Sequence, residues 1–212
     1  MHIELTELLR CPEPHEENVL VLSTGEMLGR MVRSGILGCP VCHKEYPIVK
    51  GVVEFSGSGK REAGSVGAGQ ATRPPSRFPL PLPDAQTLQA LLDLSGPGGY
   101  VVLVGVAARY AVGLADLMGG VHFVGVNAPP AVEELPVLSL LRCARMIPLR
   151  QAVARSVVVG ADATAAPWLA EAQRVLLRGR RLVVEAENLA VPPGITRLAA
   201  AQGLFVGERG GR

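Results

Sequence analysis

A chain of 212 residues, 48% hydrophobic and 19% charged, holds enough apolar material for a buried core, which excludes a wholly disordered polymer. Its formal charge of +2 excludes the broad basic face that tracks phosphates, so direct nucleic-acid binding is not expected. No apolar run approaches the roughly 20 residues that cross a bilayer as a helix, so no membrane role is expected either. The start, Met1-His2-Ile3-Glu4, lacks the basic stretch and apolar run of a secretory signal, and a cytoplasmic location is expected. In a reducing compartment the four cysteines read as metal ligands or buried thiols rather than disulfides.

Residues 1–55 carry three of those cysteines and three of the four histidines. Cys39-Pro40-Val41-Cys42 is a Cys-x-x-Cys knuckle, whose two thiolates can face one Zn²⁺ while the turn between them donates backbone N–H groups to sulfur. Cys11-Pro12-Glu13-Pro14-His15 supplies a Cys-x-x-x-His pair upstream. Together Cys11, His15, Cys39 and Cys42 make a closed Cys₃His set, with His2 or His43 as alternatives for the fourth place. Four protein ligands leave no position for water, so the zinc would be structural. A redox Cys-x-x-Cys would open a helix in a βαβ unit; here Gly38 precedes it and a strand-like segment follows.

Residues 56–83 are rich in Gly and Ser, then Pro, and read as a linker. Gly57-Ser58-Gly59-Lys60 is not a phosphate loop, because Glu54 and Arg61 stand where Gly and Ser or Thr are needed. The basic groups Lys60, Arg61, Arg73, Arg77 and Arg178, Arg180, Arg181 read as solvated loops. Beyond the linker, Asp84 is the expected N-cap of a short helix over 85–94. YVVLVG at 100–105 is a buried strand, followed by a helix ending at Gly119-Gly120. VHFVGV at 121–126, RSVVVG around 156–159 and RLVVEAE at 181–187 are further strands. A helix with Pro167 in its first turn precedes the last of these, and a final helix is expected over 195–202. Val-rich strands alternating with helices indicate a doubly wound, Rossmann-like α/β sheet in residues 84–212.

The segments TELLRCPEPH and GILGCPVCHKEYPIVKGVVEF resemble the zinc-ribbon domain of the tRNA-methyltransferase activator family. Leu8, Leu9, Cys11, Pro12, Cys39, Pro40, Cys42, Tyr46, Pro47, Ile48, Gly51 and Val52 all fit its pattern. His15 replaces the usual second cysteine one residue late, and His43 stands where a small residue is common. The resemblance implies a small zinc fold that offers a strand and an apolar surface to a methyltransferase, as a separate subunit or fused to it.

Residues 84–208 resemble the class I S-adenosylmethionine (SAM) methyltransferase fold, through EAQRVLLRGRRLVVEAE and, upstream, MIPLRQAVARSVVVGADA. The resemblance implies a cofactor crevice built from glycines after the first strand, a ribose-binding carboxylate ending the second and a polar residue after the third. The first turn here reads Gly105-Val106-Ala107-Ala108-Arg109, so one glycine remains and Arg109 adds bulk. Asn127 replaces the ribose carboxylate, and Cys143 or Ala144 stands where an Asp is common. If SAM binds, Gly105, Asn127 and Asp162 are the residues to hold it. Asp162 and Glu185 fall at strand ends that open on such a crevice. Asp116 reads as a solvated helix residue, Trp168 and Tyr110 as packing, and Cys143 as a buried small hydrophobe. The chain ends soon after Leu204-Phe205-Val206, so a single closing strand, a truncated sheet and an exposed edge are expected. The expected function is that of a non-catalytic, methyltransferase-like scaffold or regulatory subunit docking another protein or a second copy. An active SAM-dependent methyltransferase with a built-in activator-like domain is the alternative.

Overall fold

The computed structural model describes residues 1–56, 83–132 and 135–211, so nearly all of the expected linker, including the fragment at 57–60, lies outside the described residues. The N-terminal portion forms a 3₁₀ turn (Ile3–Leu8) and strands β1 (Val21–Thr24), β2 (Met27–Leu28), β3 (Met31–Val32), β4 (Gly35–Gly38), β5 (Glu45–Val49) and β6 (Val52–Glu54). Strand β5 is exposed and buried by turns, so Tyr46 and Ile48 enter the core while Glu45, Pro47 and Val49 face out, the period of two that a half-buried strand imposes.

The second portion contains α1 (Ala85–Leu92), β7 (Tyr100–Val104), α2 (Ala111–Leu117), β8 (His122–Val126), β9 (Leu138–Arg142), β10 (Ala154–Val159), α3 (Ala166–Val175), β11 (Leu176–Val184), β12 (Ile195–Ala201) and β13 (Leu204–Arg209). Asp84 caps α1 as expected, its side chain accepting from the Thr87 N–H at 2.7 Å. A 3₁₀ turn, Gly105–Tyr110, intervenes before α2.

Among the described residues one sheet runs β1-β4-β5-β6-β9-β8-β7-β10-β11-β13-β12. Strands β9, β8, β7, β10 and β11 are parallel, and β13 lies antiparallel to both β11 and β12. Counted from β7, this order is 3-2-1-4-5-7-6, a doubly wound sheet of class I methyltransferase type whose direction of progression switches between β7 and β10. Alternate residues feed two cores. Val101, Leu103, Phe123, Val158 and Val183 pack under α1 and α2, while Val102, Val104, Val124, Val157, Val159 and Val184 pack under α3. The ribbon residues Leu37, Tyr46, Ile48, Val53 and Phe55 join the α3-side core.

Two expectations are corrected. The segment expected as a final helix at 195–202 is strand β12, and the closing antiparallel pair is complete rather than reduced to one strand. The Ala-rich stretch favours a helix by propensity, but only Ile195 of β12 is buried, so it has no apolar stripe at helical spacing to bury. Pairing with β13 captures it as a strand, the tertiary override to which propensity is prone. The edge predicted at β13 is therefore covered. The helix before β11 ends at Val175, and β11 begins at Leu176, ahead of the strand read from the sequence at 181–187.

The N-terminal portion joins the sheet of the second portion through a strand, with a register that the sequence did not indicate. Strand β6 pairs in parallel with β9, Val52, Val53 and Glu54 opposite Leu140, Leu141 and Arg142. The Phe55 N–H donates to the Arg142 carbonyl at 2.7 Å, and Arg142 pairs with Glu54 at 3.3 Å. The N-terminal segment adds a second seam, with Arg10 N–H to Pro148 O at 3.0 Å and Arg150 N–H to Leu8 O at 2.8 Å. No helix among the described residues is long and apolar enough to cross a membrane.

Candidate metal centre and candidate cofactor crevice

The turn after β4 and the loop after the first 3₁₀ turn bring Cys11, His15, Cys39 and Cys42 together, with one ligand atom from each within 4.8 Å of all the others. The Sγ atoms of Cys11 and Cys42 are 3.7 Å apart. A tetrahedral ion with Zn–S bonds of about 2.3 Å sets its sulfurs about 3.7–3.8 Å apart, so this spacing fits zinc. His15 Nε2 lies 3.3 Å from Cys39 Sγ. Its Nδ1 faces the Glu16 carbonyl at 2.7 Å, which places the proton on Nδ1 and turns the Nε2 lone pair towards the sulfurs, as a metal-binding imidazole requires. The cluster could hold zinc, and it contains His15 rather than His2 or His43. His43 is exposed, with φ +58°; that left-handed conformation explains why a small residue suits the place.

Electrostatics in the cluster are uneven. Burial pushes the Cys11 thiol up to about 11, against the opposing effect of the Tyr46 hydroxyl, whose oxygen is 3.1 Å from the sulfur. Burial also acts to raise Cys39, but the backbone N–H groups of Cys42 and Val41 aimed at its sulfur hold it down at about 7. These are the knuckle amides that stabilise thiolate. The Tyr46 contact was not visible as a site feature in the sequence, where Tyr46 is only a motif residue.

The second candidate site lies at the carboxyl ends of the parallel strands, beside the switch between β7 and β10, where open α/β sheets bind ligands. Gly105, directly after β7, has φ +64°, and a Cβ there would clash with the Asp162 carboxylate. Asp162, after β10, accepts from the Val106 N–H at 2.9 Å. Gly160 makes the same approach from the other side, its Cβ position 2.7 Å from the Ala107 amide nitrogen. The turns after β7 and β10 are thus in mutual contact. Asn127, following β8 with φ +54°, donates to the Cys143 carbonyl at 2.8 Å and accepts from the Cys143 N–H at 2.9 Å. That pair spends the amide on tying the end of β8 to the end of β9.

Glu185, directly after β11, completes the arrangement. One carboxylate oxygen pairs with Arg109 and accepts from the Tyr110 hydroxyl at 2.6 Å; the other accepts from the Ala161 N–H at 3.1 Å. Arg109 also donates to Tyr110 Oη at 2.7 Å. Burial and the bond to Glu185 push the Tyr110 hydroxyl up to about 12, against Arg109. Tyr110 is therefore a polar member of the network, not only packing; the 75 residues between it and Glu185 left no sequence signal. Asp116 is exposed and Trp168 packs against the α3-side core, both as expected. Cys143 is buried, which pushes its thiol up to about 12.

No family model and no curated protein matches the chain. Among solved structures it is similar to a chain of a complex containing the Haloferax volcanii Trm112 methyltransferase activator, at 21% identity and TM-score 0.38, over 47% of this chain and 50% of that one. It is also similar to a SAM-dependent methyltransferase from Aquifex aeolicus (18%, TM-score 0.45, 63% and 91%). The antibiotic-resistance methyltransferase Kmr is a third (16%, TM-score 0.43, 62% and 95%). The chain spans only half the length of the first of these. At such identities the likeness bears on fold alone, and the fold assignment stands on the strand order.

Proposed function

We propose that this protein is a zinc-stabilised, non-catalytic methyltransferase-like scaffold, with a ribbon in residues 1–55, a linker in 56–83 and a sheet module in 84–212. Zinc is held by Cys11, His15, Cys39 and Cys42. The observation that carries the reading is that Asn127 and Asp162, two of the residues expected to receive a cofactor, are engaged by the protein itself, and that Asp162 lies against Gly105, the third. A ligand carboxylate seeking the Val106 N–H would have to displace Asp162. A ribose would have to break both Asn127 bonds to Cys143, hydrogen bonds worth about 0.5–1.5 kcal/mol each net. The activator-type strand, β6, is already spent on β9 of the same chain, so a partner or second copy would dock on another surface. The two ends of the sheet qualify: Val21 of β1 and Leu198 of β12 are exposed, and strand edges recruit further strands.

Calorimetric titration of the zinc-loaded protein with SAM and with its demethylated product tests this reading. No binding up to near-millimolar ligand is expected. Micromolar binding, about −8 kcal/mol, would overturn it in favour of an active methyltransferase, and elemental analysis showing no zinc would remove the metal assignment.

A further inference from the structure

A second group of metal-ligating side chains lies away from the cysteines. His2 and Glu4 come from the N-terminal segment of the ribbon, and His122 opens β8 of the sheet module. One ligand atom from each falls within 4.8 Å of the other two. The His2 and His122 rings are 4.5 Å apart between centroids, tilted by 50°. The His2 side chain is only 7% exposed, and Glu4 Oε2 lies 3.6 Å from its Nδ1, beyond hydrogen-bond reach.

Both Nδ1 atoms, of His2 and of His122, are buried with no hydrogen-bond partner among the described residues. Buried polar atoms are nearly always partnered, and an exception calls for an unseen water or ion. Neither imidazole Nδ1 is satisfied by the other ring or by the carboxylate, and the ligand atoms are near enough together for one cation to serve all three side chains. Arg30 pairs with Glu4 Oε1, which leaves Oε2 free towards His2 and orients the carboxylate as outer partners of metal ligands do.

We propose that His2, Glu4 and His122 form a second, thiolate-free site for a borderline divalent transition ion such as Zn²⁺, Co²⁺ or Ni²⁺. Imidazole and carboxylate suit these ions, and three protein ligands leave at least one position for water. The ion would clamp the ribbon to the sheet module beside the contact in which the His2 N–H donates to Ser139 Oγ at 2.9 Å. That seam is separate from the β6–β9 pairing.

Cobalt distinguishes the two sites. Untagged full-length protein, dialysed against a mild chelator, is titrated with Co²⁺ and followed by absorption. Cobalt on thiolates gives intense near-ultraviolet charge-transfer bands, whereas cobalt on imidazole and carboxylate gives only weak visible bands. The expected result is a visible signal, without added charge transfer, that saturates at about one further equivalent. Glu4→Gln is expected to weaken that step at least about tenfold and His122→Gln to abolish it, with the charge-transfer signal unchanged as the folding control. Glu4 is exposed, so its variant tests the site without disturbing the core. Absence of the thiolate-free step in the unaltered protein, or its persistence in both variants, would overturn the proposal. The charge-transfer bands report separately on the cysteine site, so failure of one assignment leaves the other readable.

Discussion

Replacing Glu185 by Ala removes the acceptor that joins the turns after β7, β10 and β11. Its side chain is 7% exposed and that of Arg109 is 30% exposed. Three partners are lost at once: the Arg109 guanidinium, the Tyr110 hydroxyl and the Ala161 N–H. Hydrogen bonds involving a charged group contribute about 1.5–3 kcal/mol each, but three bonds to one carboxylate do not add. Orphaning one member of a buried pair costs about 3–5 kcal/mol. Water can still reach the partly exposed Arg109 and the exposed Ala161, which brings the expected loss to about 2–4 kcal/mol. With an m-value near 2 kcal/mol per molar urea, the midpoint should fall by about 1–2 M in equilibrium unfolding followed by circular dichroism. Arg109→Ala and the double variant close a cycle whose coupling should be at least about 1 kcal/mol. A loss under about 0.5 kcal/mol, or additivity of the two single changes, would refute the claim that Glu185 ties these turns together.

Gly105→Ala forces a Cβ onto a residue at φ +64° and into a clash with the Asp162 carboxylate. Left-handed strain of about 1–2 kcal/mol plus overpacking of about 1–3 kcal/mol should be visible as a lowered urea midpoint, and Asp162→Gly should relieve the steric part in the double variant. Tyr110 has its pKa raised by burial and Glu185 to about 12, so it keeps its proton in the folded state after the unfolded chain has lost it. Its contribution to stability is therefore fully present below about pH 10, the ordinary tyrosine value, and is lost as pH rises towards 12. Subtracting a Tyr110→Phe titration from that of the unaltered protein, by tyrosinate absorbance, should show no step near pH 10. Strong chelation should collapse hydrogen-exchange protection across β4 and β5 before it affects β7 and β10, since structural zinc sites fold on their metal; equal loss in both places would count against a local role.

The Cys/His cluster and the doubly wound class were legible because their signals are local. Two ligand pairs at short spacing mark the cysteine cluster, and Val-rich runs between helical patterns mark the parallel strands. Strand β12 was not legible, because its Ala-rich sequence carries helix propensity and its identity depends on β13 across the turn. The β6–β9 pairing joins residues on either side of the linker and α1, and its register rests on a backbone ladder that no side-chain pattern announces. At the crevice the substitutions themselves were readable, Asn127 and the missing glycines above all. The contacts that fill the crevice were not: Asp162 reaching Val106, and Glu185 reaching Arg109 and Tyr110, join residues 56 and 75–76 positions apart.

If the protein binds no cofactor, as proposed above, these contacts bear on how a sheet of this type would persist without one. A nucleotide crevice is a set of backbone N–H groups and short turns held apart, and leaving such groups dry and unpaired costs about 1–3 kcal/mol apiece. A chain that no longer binds the cofactor must satisfy them some other way. Here Asp162 takes the Val106 amide, Glu185 takes the Ala161 amide, and Asn127 joins two strand ends. On that reading each contact would add to the cost of opening the crevice, modestly where water also reaches the pair, as at the exposed Ala161 and Asp162. The same logic applies at the far edge of the parallel strands, where β9 would otherwise present an unpaired ladder. Strand β6 covers it within the chain, and zinc bound at the cysteine cluster as proposed would steady the segment that carries β6. On the proposed reading, the cysteine cluster, the contacts at the crevice and the covered edge of β9 form one arrangement that favours stability of the sheet over access to a ligand.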